Sequence, residues 1–130
     1  MRRPAQITAL AVTLAATPAL AASWLAPNGH TVDGGPQNFV VQPIAGAGSA
    51  GIFCAAASYA VERLGADPSD AVVVSTPRSG RIAGQGGETV GFRLDPGAAP
   101  DHGLILKTSR QGEAVSVAHA RALCREHTGH

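Results

Sequence analysis

Cys54, His102 and His119 are the residues whose types would carry covalent chemistry in this chain of 130 residues. A thiolate is the reactive form of cysteine; a helix start lowers its pKa, and a histidine on a neighbouring strand serves as its base. Cys54 falls near the start of a helical pattern, His102 just ahead of a strand pattern, and His119 in the last helical segment. A second group of metal-ligand types, His119, Cys124, His127 and His130, collects at the C-terminus without a recognised ligand spacing. A third pattern, Gly46-Ala47-Gly48-Ser49-Ala50-Gly51, has the glycine spacing of a dinucleotide-binding loop and opens a helix. Ser58 and Ser109 have no base beside them, and Arg78 and Arg81 in a glycine-rich stretch read as solvated.

Each pattern meets an objection from its neighbours. Cys54 with Gly65 and His102 resembles a papain-like peptidase of the cell-wall amidase kind, which would make Cys54 the nucleophile and His102 or His119 its base. Gly51-Ile52-Phe53 precedes Cys54 where such enzymes carry an Asp, and the thiol lies past the strongest reach of the helix dipole. The glycine loop follows Pro43, which suits a strand end or edge better than a central parallel strand. No acidic residue ends the next strand at Val74-Ser75, and the chain lacks the length for further βαβ units. The expectation is therefore no cofactor and no metal.

The elements that must position these residues begin with an export signal. Arg2 and Arg3 precede an uncharged apolar run from Ile7 to Ala16, then Pro18 and Ala19-Leu20-Ala21, the layout of a signal peptide cleaved after Ala21. Residues 22–130 remain as one small domain, exported to periplasm or medium and without a membrane span. Arg2 and Arg3 leave with the signal, so eight Lys and Arg face nine Asp and Glu. Neither nucleic acid nor an anionic membrane surface is implied by that balance, since both want clustered Lys and Arg. In an oxidising compartment the two cysteines, Cys54 and Cys124, read most simply as one disulfide.

Residues 22–37 mix Pro27, Asn28, Gly29, Gly34, Gly35 and Pro36 and read as an irregular lead-in, pinned by Trp24 and Leu25. Asn38 to Gln42 reads as a strand with Phe39 and Val41 on one face. Ser49 reads as the N-cap of a helix to Leu64, stopped by Gly65, with Phe53, Ala57, Ala60, Val61 and Leu64 on its apolar face and Ser58 away from it. The valines of Ala71 to Ser75 predict a strand buried on both sides, and Thr76 to Glu88 a mobile loop. Thr89 to Leu94 alternates, with Val90, Phe92 and Leu94 inward and Gly91 and Arg93 outward. Leu104 to Ser109 and Ala114 to Val117 predict a hairpin, followed by a helix from Ser116 or Val117 to about Arg125. The order predicts an α+β fold, a small antiparallel sheet packed on one face by two helices that the disulfide joins.

Phe53-Cys54-Ala55-Ala56-Ala57, Gly91-Phe92-Arg93-Leu94-Asp95-Pro96 and Ala118 to Cys124 together resemble small exported bacterial proteins of unknown function. The resemblance carries no activity; it supports pairing an early helix cysteine with one near the C-terminus. The reading is an exported, non-catalytic binding or structural accessory domain with an envelope protein as its partner. The alternative is the cysteine hydrolase.

Overall fold

A computed structural model describes residues 23–78 and 88–125. The signal segment, most of the glycine-rich loop including Arg81, and both tail histidines, His127 and His130, lie outside the described residues. The elements are β1 (Trp24–Leu25), β2 (Thr31–Gly35), β3 (Asn38–Gln42), α1 (Ser49–Leu64), β4 (Ala71–Thr76), β5 (Val90–Asp95), β6 (Ala114–Ser116) and α2 (Val117–Ala122). The strands form one six-stranded antiparallel sheet in the order β1-β2-β3-β5-β4-β6. With both helices this is the expected α+β class.

Period-two alternation decides which side chains α1 covers. Val32, Phe39, Val41, Val72, Val74, Val90, Phe92 and Val115 form the main core with Ile52 and Phe53 of α1. Rings carry the contact across the sheet: Phe53 meets Phe92 edge-on at 5.4 Å, Phe92 stacks on Phe39 at 5.8 Å, and Tyr59 bridges Phe39 to Trp24. Val73 points the other way, into a second buried cluster with Ala71 and Ala114, so the valine run is buried on both faces as expected. Gly65 ends α1 in the left-handed region at φ 70°, which a residue without Cβ adopts without strain.

Several local expectations are corrected. The lead-in 22–37 is not irregular, because it holds β1 and β2. Only Val32 of β2 is buried, so no alternation shows in Thr31-Val32-Asp33-Gly34-Gly35. The N-cap of α1 is Gly48, without a side-chain cap; Ser49 Oγ instead lies 3.0 Å from Thr108 Oγ1. Ser58 is buried rather than turned to solvent, since α2 and the disulfide close over that side of α1. Gly91 is also buried, because a register shift between Val74 and Thr76 brings Ser75 and Thr76 over it.

The predicted hairpin of residues 104–109 with residues 114–117 does not form. β6 pairs with β4 instead, with Val72 opposite Val115, and Asp101 bridges Ala114. Residues 104–109 run as a loop tied down by the buried carboxylate of Glu113, which accepts the backbone N–H of Lys107 at 2.6 Å. Ser116 caps α2 by accepting the N–H of His119 at 3.1 Å, and the helix ends at Ala122, short of Arg125.

Candidate functional site

Cys54 and Cys124 are joined in a disulfide, with S–S 2.06 Å and Cα–Cα 5.1 Å, that links α1 to the end of α2. Cys54 is completely buried in the middle of α1, and Ser58 Oγ lies 3.6 Å from Cys124 Sγ. A disulfide sulfur has no thiolate to offer, so the nucleophile of the hydrolase alternative is consumed. His102 and His119 are not arranged around Cys54. They meet each other at the surface, ring centres 5.2 Å apart and planes at 65°. Among the described residues no group of three or more His, Cys, Asp and Glu is placed to hold a metal ion.

The glycine loop leads to a different kind of site. Around the start of α1 lies a cavity of about 460 Å³, lined among others by Asn28, His30, Ile44, Gly46, Gly48 and Gly51. Its strand, β3, is antiparallel to both neighbours, which removes the βαβ setting of a dinucleotide loop. Gly46 has φ 81°, a turn conformation suited to glycine, and carries the chain from Pro43 towards α1. Gly51 packs closely here: a Cβ would lie 3.3 Å from His30 Nε2, and the ring would have to give by a few tenths of an ångström.

His30 is buried at the floor of this end. Its Nδ1 accepts the Ile44 N–H at 3.1 Å, so the proton of the neutral ring sits on Nε2, the nitrogen nearer Gly51. Asn28 donates from Nδ2 to Gly51 O at 2.8 Å, while its Oδ1 is buried without a partner among the described residues. Arg78 is not solvated as expected. It donates to Ala47 O at 2.8 Å and pairs with Glu88 at 2.5 Å, and its N–H donates to Thr108 O at 2.9 Å. One side chain thus ties both ends of the glycine-rich segment to the approach to α1.

A second polar cluster braces residues 101–113. Arg110 donates to Glu113 at 2.6 Å and to both oxygens of Asp101 at 3.2 Å. These bonds, first to Glu113 and then to Asp101, raise the pKa of the guanidinium. On this frame Leu104 and Ile105 stand fully and largely exposed, while Leu106 turns in against the core.

Sequence reasoning missed Asn28, His30 and Glu113. Isolated polar residues in loops carry no periodic signal, and their role appears only when distant segments meet. No protein-family model, no curated protein and no solved structure matches this chain.

Proposed function

We propose that the chain is an exported, non-catalytic binding or structural accessory domain that engages its partner through the loops gathered at the start of α1. The observation that carries this reading is the Cys54–Cys124 disulfide. It suits an oxidising compartment, and it takes both cysteines of the chain out of nucleophilic chemistry. No helix among the described residues is long and apolar enough to cross a membrane, which is compatible with a freely exported product. The cavity at the α1 start falls within the range of ligand sites, about 300–1,000 Å³, and combines apolar walls with His30 and Asn28.

The experiment follows the chain out of the cell. Intact mass of material from periplasm or medium is expected to lack residues 1–21, and the denatured, unreduced protein to take up no iodoacetamide. In capture from the envelope fraction, Ile44→Asp at the exposed cavity wall is expected to lose the partner that the unaltered chain retains. A full-length cytoplasmic product refutes export. A native Cys54 thiol alkylated at a rate set by His102 or His119 refutes the non-catalytic reading in favour of the hydrolase.

A further inference from the structure

We infer that His102 and His119 form a two-histidine site for a borderline transition-metal ion such as Zn²⁺, Ni²⁺ or Cu²⁺. The first argument is distance. With metal–nitrogen bonds of about 2.0–2.1 Å in the ring plane, an ion sits about 3.2 Å from each imidazole centre, and tetrahedral angles then separate the two centres by about 5.2 Å. The observed separation is 5.2 Å, the rings resting edge to face with their planes at 65°.

The second argument is the hydrogen bond behind the ligand. His102 Nδ1 lies 2.9 Å from the carbonyl oxygen of Gly103, which only accepts, so Nδ1 carries the proton. The Nε2 lone pair is thereby left for a metal, in the manner by which a ligating histidine donates its other N–H to a backbone carbonyl. His119 is fixed from its own side, since its backbone N–H is bound by the Ser116 cap in the first turn of α2. His102 follows Asp101, which is bridged to Ala114 and clamped by Arg110. Both ligands therefore start from braced backbone, and less ordering is required on binding.

The ligand type selects the ion. Imidazole suits Zn²⁺, Ni²⁺ and Cu²⁺, whereas Ca²⁺ and Mg²⁺ want oxygen donors. With no larger ligand group among the described residues, water or a donor from a bound partner completes the coordination.

The test is calorimetric titration of the full chain with Zn²⁺ and with Cu²⁺, in a background carrying His127→Gln and His130→Gln so that the tail supplies no imidazole. One ion per chain is expected, Cu²⁺ binding tighter than Zn²⁺ and Mg²⁺ not at all. His102→Gln and His119→Gln are each expected to weaken binding by about tenfold or more, the scale on which even outer-shell losses act. Far-UV circular dichroism checks that both variants stay folded, and Ni²⁺ broadening of backbone resonances should centre on residues 102 and 119. Binding that survives either substitution, or that vanishes in the tail-substituted background, overturns the inference.

Discussion

Removing the Cys54–Cys124 cross-link should cost more than any single surface change. The bridge joins positions 70 apart, and on the chain-entropy model its loss returns about 4 kcal/mol of freedom to the unfolded chain. A small domain has roughly 5–15 kcal/mol in total, so Cys54→Ala with Cys124→Ala should leave a marginal protein. With a urea slope of about 2 kcal/mol per molar, the unfolding midpoint should fall by about 2 M. The two serine variants should then differ, because their sites differ. Cys54 is fully buried beside α2, whereas Cys124 is part-exposed. A hydroxyl at position 54 faces an additional desolvation penalty of about 1–3 kcal/mol if left unpaired. Cys54→Ser should therefore unfold at lower urea than Cys124→Ser. A double variant whose midpoint stays within roughly 0.5 M of the parent, about 1 kcal/mol on that slope, refutes the entropic argument. Equal midpoints for the serine variants refute the argument from burial.

Gly34→Ala should destabilise by about 2 kcal/mol or more, because φ is 125° and the added Cβ would press on Asn38 O and lie 2.7 Å from Phe39 Cα. Gly35→Ala next to it meets nothing within 4 Å and should stay within about 0.5 kcal/mol in the same denaturation assay. Glu113→Ala should cost about 2–3 kcal/mol by chemical denaturation, since it strips the acceptor from the Lys107 N–H at a buried position; a neutral result would mean that water replaces it there. Ser116→Ala removes the α2 cap and should cost about 0.5–2 kcal/mol in the same assay; an unchanged midpoint refutes the contribution of the cap.

The parts of the fold legible in the sequence are those whose burial is periodic and locally terminated. The bounds of α1 follow from its apolar spacing and from Gly65, and β3 follows from Phe39 and Val41, both buried against α1. β2 was illegible because it offers one buried residue, Val32, and two glycines. Its pairing with β3 is held by hairpin register, with Val32 opposite Val41, and by Tyr59 donating to Gly34 O at 2.5 Å. The missing hairpin shows strand propensity losing to side-chain anchoring of the segment. Leu104, Ile105 and Leu106 look like strand residues, yet the edge of β6 away from β4 is met by Asp101 at Ala114, and residues 107 and 108 are held by Glu113 and Ser49 instead.

The sequence alone offers the two surface histidines as rival bases and not as neighbours. Nothing in the spacing from position 102 to position 119 marks a pair, and no ligand motif has it. Once β6 takes the edge of β4, Asp101 closes its bridge onto Ala114, and the segment carrying His102 is laid beside the strand from which α2 departs. Ser116 then caps α2 and fixes the turn that carries His119. Two imidazoles that share no element meet because one bridge and one cap are both in place. Their proximity follows from the Asp101 bridge, which meets β6 on the edge where the expected hairpin would have paired.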